Sequence, residues 1–199
     1  MSAAFFSLRI QEVLDVNSIP EFESKFHEAY RSMLSLEKVE YTSRLKEYSA
    51  QLSKESQTQL ESKIKTTYRE ASIILKRNKL EIPEIFTFCG PGILDGHALL
   101  INNRPITFFD LTMMEGHFQI DSFEPLTHMI HELIHGIHYA LTPVFAPNLK
   151  DYSQEALLKQ IISEGLATNI TKRLLSPDTD PYWFGFIDKE LKNSWTQNC

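Results

Sequence analysis

The sequence predicts an α+β fold in which helices come first, a small, mostly antiparallel sheet follows, and two more helices complete the core. Three changes along the 199-residue chain indicate this order. Apolar residues recur at helical spacing over roughly the first 80 residues. Short β-rich runs separated by turn residues then begin near Ile82, and helical spacing returns after Asp121.

The first part of the chain is predicted to be a helical support. One or two helices are expected from Pro20 to about Tyr48, and a longer amphipathic helix from Lys54 to Arg77. The longer helix has a single apolar stripe, formed by Leu60, Ile64, Tyr68, Ala71 and Leu75. We interpret residues 1–80 as a helical region that packs on a catalytic core of residues 81–199, the two together forming one compact unit.

Three short strands are predicted in the middle of the chain. The run Ile85 to Phe88 ends at the turn-forming Gly90-Pro91-Gly92. The run His97 to Ile101 ends at Asn102-Asn103, which also favours a turn, and the third run extends from Pro105 to Leu111.

Two long helices are predicted after the sheet. The first runs from Leu126 to Leu141 and ends before Pro143. The second runs from Asp151 to Leu175, and Asp151 with Gln154 is the expected capping pair at its beginning.

The first of these helices contains His131-Glu132-Leu133-Ile134-His135. Residues four apart lie on neighbouring turns of one helix face, so both imidazoles can bind one cation. Glu132 projects at the edge of that face, where it can contact a water on the metal without being a ligand. We therefore predict that His131 and His135 are metal ligands and that Glu132 is the catalytic base.

A catalytic zinc needs a third protein ligand and one open position for water. A histidine six residues after the second one is excluded, because Leu141 stands there. Glu164 is the predicted third ligand, since apolar residues surround it in the sequence and a buried glutamate requires a partner. The next residue, Gly165, is expected to let the two helices approach closely. One zinc ion per chain is thus the expected cofactor.

The motif followed by a helix that reads Glu164-Gly165-Leu166-Ala167 resembles the gluzincin group of zinc peptidases. Together with the preceding sheet, the run Ile162 to Ala167 resembles the DUF2268 (YjaZ-like) family of predicted zinc-dependent proteases, over roughly residues 82 to 175. The resemblance implies a zincin-like fold and an edge strand, here Ile106 to Leu111, that pairs with an extended substrate. Where related sites place a carboxylate one turn after the ligand glutamate, this chain has Thr168, so the group that orients a ligand histidine is unidentified.

The expected activity is hydrolysis of peptide bonds by a zinc-activated water. Zinc would lower the pKa of that water to about 7, and Glu132 would pass its proton to the leaving amine. A further donor to the oxyanion is expected. The candidates are Tyr182, Tyr139, His138 and His117, of which Tyr182 is preferred because it follows the glutamate helix.

Composition argues against several other functions. The net charge of −6 provides no basic face for nucleic acid, and no apolar run approaches the roughly 20 residues of a membrane span. No secretory signal is visible, and the two cysteines, Cys89 and Cys199, form no disulfide framework. The expected compartment is the cytoplasm, and the expected partner is a peptide or protein substrate.

Two alternatives remain open. In the first, the chain is a non-catalytic zinc-binding or partner-binding protein with a degenerate peptidase fold. His128 or Asp151 then supplies a fourth ligand, and Glu132 is dispensable. In the second, Asp178 or Asp180 replaces Glu164 as the third ligand.

Overall fold

The computed structural model describes residues 19–120, 123–147, 151 and 153–175, and within them the chain has the predicted α+β class. In chain order the elements are α1 (Ile19–Met33), α2 (Lys38–Ser49), α3 (Lys54–Arg77), β1 (Glu84–Phe88), β2 (Gly96–Ile101), β3 (Arg104–Asp110), α4 (Leu111–His117), α5 (Pro125–Leu141), a 3-10 turn (Pro143–Phe145) and α6 (Gln154–Leu175). The predicted helices and strands are all present among these elements, and α4 is the helix that the sequence did not predict. None of the described helices is both long enough and apolar enough to cross a membrane.

β2 and β3 form an antiparallel hairpin. Its two-residue turn, Asn102-Asn103, has positive φ angles of 54° and 61°. Asparagine tolerates this left-handed region better than most residues, and a turn of this kind matches the twist of the two strands. The prediction of a turn at these asparagines is confirmed.

β1 pairs with β3 in parallel, so the sheet order is β1-β3-β2 and the sheet is mixed. The expectation of a mostly antiparallel sheet is therefore wrong for one of its two strand pairs. Residues 89–95 connect β1 to β2 and leave a gap between these two strands. β3 then fills the gap, antiparallel to β2 and parallel to β1. Because β3 is paired along both edges, the expectation that Ile106 to Leu111 is an edge strand is also wrong.

The sheet has a hydrophobic cluster on each face. Successive side chains of a strand point to opposite faces, and in β3 Phe108 joins one cluster while Phe109 joins the other. The Phe108 cluster includes Phe26 and Tyr30 of α1, whereas α3 and α5 pack on the Phe109 face. The buried apolar side of α5 contributes Met129, Ile130, Leu133 and Ile134 to that second cluster. The opposite side of α5 is thereby left for its histidines.

Asp110, at the end of β3, is fully buried, and its side chain binds the backbone of the loop that connects β1 to β2. Its carboxylate accepts hydrogen bonds from the backbone N–H groups of Gly90 at 2.9 Å and Gly92 at 3.0 Å. It also caps α4 by accepting from the N–H of Thr112 at 2.9 Å. A Cβ atom on Gly90 would lie 2.2 Å from Asp110 Oδ2, so only glycine fits there. This loop therefore has a defined path between β1 and β2.

α6 packs on α5 through small residues spaced four apart, namely Ser163, Ala167 and Thr171. A Cβ atom on Gly165 would meet nothing within 4 Å, so the expectation that Gly165 allows close helix approach is wrong. Gly165 is two residues from Ser163, about 200° around the helix, and therefore faces away from α5. The expected capping pair is also wrong, because Ser153 Oγ accepts from the N–H of Ala156 at 3.1 Å and occupies the cap position itself.

Candidate metal centre

α5 places His131 and His135 on one face, one turn apart. Their exposed fractions are 3% and 1%, and their Nε2 atoms lie 3.0 Å from each other. The helix begins at Pro125, one residue before the predicted Leu126, and ends at Leu141, before Pro143, as predicted. Two imidazole nitrogens thus meet at one point between α5 and α6.

Glu164 reaches the same point from α6. Its Oε2 atom lies 3.3 Å from His131 Nε2 and 3.4 Å from His135 Nε2. Ligand atoms held about 2.0–2.2 Å from one tetrahedral zinc are separated by roughly 3.3–3.6 Å. The three predicted ligand atoms therefore already have nearly the spacing that one such ion requires, and Glu164 Oε2 is buried without a hydrogen-bond partner among the described residues.

The surroundings of Glu164 differ from the expectation. Its side chain is 34% exposed, and the apolar residues near it in the sequence are largely exposed as well. These residues are Leu157, Leu158, Ile161, Ile162 and Leu166. Apolar side chains therefore do not bury Glu164, and the argument from burial is wrong. The evidence that Glu164 is a ligand is instead its contact with the two imidazoles.

Charge and burial act in opposite directions on the pKa values of this cluster. Burial raises the pKa of Glu164, but the close contacts with the two histidines and their charges outweigh it and hold the pKa well below its usual range. Burial lowers the pKa of His131, which favours its neutral, metal-binding form. Burial also acts to lower the pKa of His135, but contact with Glu164 raises it overall. A carboxylate with two adjoining imidazoles is a donor set that suits zinc.

Ser163 provides the orienting contact that the sequence left unidentified. Its Oγ atom lies 3.0 Å from His135 Nδ1 and 3.2 Å from His138 Nδ1, and its hydroxyl donates to Tyr139 Oη at 3.2 Å. If His135 Nδ1–H donates to Ser163, the Nε2 lone pair of His135 faces the cluster. Ser163 was missed because only the packing of α6 against α5 brings it to His135.

The change Ser163→Ala is expected to weaken zinc binding by about 10–100-fold, because the ring of His135 loses its orienting partner. A competition titration against a chromophoric chelator measures this change. Thr168→Ala, which alters the neighbouring turn of the same helix, is the matched control and is expected to bind zinc as the wild type does. Equal zinc affinity in Ser163→Ala and Thr168→Ala would show that Ser163 does not orient the ligand.

Glu132 is 5% exposed and lies beside the cluster. Its Oε2 atom is 3.7 Å from His97 Nδ1 and has no hydrogen-bond partner among the described residues. Burial raises the pKa of Glu132, but the interactions with His97, His131 and His135 hold it below its usual value. The carboxylate is thus kept in the ionised form that a general base requires.

His97 is a residue of the site that sequence reasoning missed. It lies on β2, and one of its ring nitrogens is within 4.8 Å of ligand atoms of both His135 and Glu164. Two atoms bound to one zinc are at most about 4.4 Å apart, so the set containing His131, at 3.0–3.4 Å, fits an ion more closely. The signal in the sequence was a single histidine within an apolar strand.

The other residues that the sequence suggested as ligands or oxyanion donors do not all lie at the metal centre. His117 and His128 lie near Asp95, with their Nε2 atoms 3.0 Å and 3.7 Å from Asp95 Oδ2. Burial raises the pKa of Asp95, but the bond to His117 and the charge of His128 lower it to about 2. Tyr139 is buried against His135, and Asp151 is exposed. Tyr182, Asp178 and Asp180 lie outside the described residues.

A cavity of about 510 Å³ opens beside the cluster. Its polar lining comes from His97, Tyr139 and Glu164 at the cluster, and from Asp151, Ser153, Lys159 and Gln160 at and near the beginning of α6. Its apolar lining, which we call the apolar wall, comes from the 3-10 turn, the residues after it and two positions of α6: Val144, Phe145, Ala146, Pro147, Ala156 and Leu157. Val144 and Leu157 are 63% and 59% exposed, so large apolar side chains face a space that a ligand can fill.

Compared with protein-family models, curated proteins and solved structures, the chain has no significant match to any of them.

Proposed function

We propose that this chain is a zinc-dependent peptidase with a zincin-like arrangement of its sheet, active-site helix and glutamate helix. The observation that carries the proposal is the meeting of three ligand atoms, from His131, His135 and Glu164, within 3.0–3.4 Å of one another. These residues would hold the zinc, which supplies a Lewis acid that polarises a carbonyl and makes water a better nucleophile at neutral pH.

Glu132 is the general base in this proposal. Its buried, ionised carboxylate takes a proton from the attacking water and returns it to the nitrogen of the leaving amine. The C–N bond of the peptide breaks as the new C–O bond forms, so the products are a carboxylic acid and an amine. Tyr139 Oη accepts the hydrogen bond from Ser163, which leaves its own hydroxyl hydrogen available, so Tyr139 stays a candidate for the oxyanion donor.

The cavity beside the cluster is the proposed substrate cleft. It borders Glu164 and His97, and its apolar lining includes Val144, Phe145 and Leu157, so a bulky apolar side chain next to the scissile bond would find apolar contact there. β2 is an edge of the described sheet and carries His97, so it takes the place of β3 as the strand along which an extended substrate would run.

The decisive experiment measures metal and cleavage on the same preparation. We expect one zinc per chain by elemental analysis and zinc-dependent cleavage of unfolded casein, abolished by a chelator and restored by zinc. Failure to take up zinc on titration would refute the site. Zinc uptake without cleavage of casein or of a broad peptide library would refute the peptidase activity alone.

Leu157→Asn is expected to reduce kcat/KM for peptides with a bulky apolar residue at the cleavage site by roughly tenfold or more, because the cleft loses apolar contact. Leu158→Asn is a matched control, since Leu158 is 56% exposed on the same helix but does not line the cavity. Cleavage-site profiles of the three proteins on one peptide library make the comparison. The same loss in both variants would show that the cavity does not select the substrate.

A second candidate function follows from the position of His97. If His97 moves slightly inward it becomes a fourth ligand, and the site is then a closed structural zinc site without an open position for water. In that case His97→Ala lowers the zinc content, and Glu132→Gln changes neither zinc content nor any measurable activity.

A further inference from the structure

His97 lies where the sheet meets the metal centre. Its ring centroid is 5.1 Å from that of His135 and 6.1 Å from that of Tyr139. The side chain is 17% exposed and borders the cavity, whereas Glu132 is more deeply buried behind the lining of that cavity. His97 therefore stands beside the Glu132 carboxylate on its cavity side.

The backbone of β2 also packs directly on Glu132. A Cβ atom on Gly96 would lie 3.1 Å from Glu132 Cγ and 3.0 Å from a ring carbon of Phe109. Glycine at this position thus lets the Glu132 stem lie close against the strand. The stem packs on Gly96, and the next residue of the same strand brings its imidazole to within 3.7 Å of Glu132 Oε2.

The Glu132 carboxylate needs a polar partner. Its Oε2 atom is buried and has no hydrogen bond within the described residues, and an unpaired buried charge is costly. His131 Nε2 and His135 Nε2 lie 3.3 Å and 3.4 Å from Glu164 Oε2, whereas His97 Nδ1 lies 3.7 Å from Glu132 Oε2. His97 is therefore a donor within reach of the Glu132 carboxylate. A side-chain rotation that shortens this distance by about 0.8 Å gives an ordinary charge-assisted hydrogen bond.

We infer that His97 is a positioning residue for the general base: its Nδ1–H donates to Glu132 Oε2 and aims the carboxylate at the metal-binding histidines. The inference rests on the proposed peptidase function. One carboxylate oxygen is then fixed by His97, and the other remains available to take the proton of the attacking water. The same contact makes β2 part of the catalytic machinery as well as the border of the cleft.

Three substitutions at His97 test the inference, because they differ in whether the side chain has an N–H donor and in where that donor lies. Asparagine places its amide nitrogen near the position of Nδ1, glutamine places it nearer to Nε2, and leucine has no donor. We expect His97→Leu and His97→Gln to lower kcat by about 10²-fold with KM changed less than twofold, because the base is misplaced. His97→Asn is expected to recover most of that loss, and all three variants are expected to keep one zinc per chain.

A second readout does not depend on catalysis. The unfolding free energies of wild type, His97→Leu, Glu132→Ala and the double variant, measured in urea with and without zinc, form a double-mutant cycle. Non-additive changes support the contact, and additive changes overturn it. An unchanged kcat, a change confined to KM, or equal activity of the asparagine and leucine variants also overturns the inference. If the wild type cleaves nothing, the proposed function fails, and the cycle still decides whether His97 holds Glu132.

Discussion

Replacing Glu132 by glutamine is expected to lower kcat by about 10²–10⁴-fold while the protein keeps one zinc per chain. Glutamine has nearly the same shape as glutamate and keeps a side-chain oxygen, but it cannot accept a proton at neutral pH. Because Glu132 lies beside the ligand cluster without joining it, its loss removes proton transfer and leaves the three ligand atoms in place.

Initial rates on the best peptide from a library, with zinc content measured on the same samples, test this expectation. Glu70→Gln is the matched control, because Glu70 is exposed on α3, far along the chain from the metal-binding helix. Full activity in Glu132→Gln would remove Glu132 from the mechanism. Loss of zinc in that variant would place Glu132 among the ligands and would require a different base.

Glu164→Ala is expected to have the largest effect on zinc. The change removes the carboxylate oxygen that lies 3.3 Å and 3.4 Å from the two imidazole nitrogens. Zinc affinity should therefore fall by more than the roughly 10–100-fold that follows from losing an orienting partner. Because binding to the native state stabilises it, zinc should raise the Tm of the wild type by several degrees and that of the variant much less.

Glu155→Ala is the control for this experiment. Glu155 lies on the same helix, its side chain is 75% exposed, and its described ion pair is with Lys159. Titration with zinc, followed by Tm and by metal content, compares the two variants. Normal zinc binding in Glu164→Ala together with loss of zinc in Asp178→Ala or Asp180→Ala would establish the aspartate alternative instead.

The helices and strands were predictable because their signals are local. The 3.6-residue spacing of apolar residues places α3 from Lys54 to Arg77 in both the sequence and the structure. The spacing of four between His131 and His135 likewise puts both side chains on one helix face, whatever the rest of the fold does.

The features that escaped prediction depend on contacts between residues distant in sequence. The parallel pairing of β1 with β3 depends on the path of the loop between β1 and β2, which no local pattern specifies. His97 and Ser163 reach the centre only after β2 and α6 pack against α5. At Gly165 the sequence instead predicted a contact that is absent. A glycine beside a ligand suggested close packing of the two helices, but its position on the helix turns it away from α5.

The hydrogen bonds of Asp110 have a consequence for how substrate preference can vary among proteins built on this plan. The carboxylate accepts hydrogen bonds from Gly90 and Gly92 and caps the first turn of α4. The backbone N–H of Asp110 donates to the carbonyl of Asp95 at 2.9 Å, directly before β2. An insertion between β1 and β2 would therefore shift His97 and the edge of the cleft together. The described apolar lining on the other side of the cleft includes Val144 and Leu157, which are 63% and 59% exposed and can therefore be replaced without moving His97 or Asp110. New preferences for the side chain next to the scissile bond are thus more readily acquired on the helical side of the cleft, while the strand side remains unchanged.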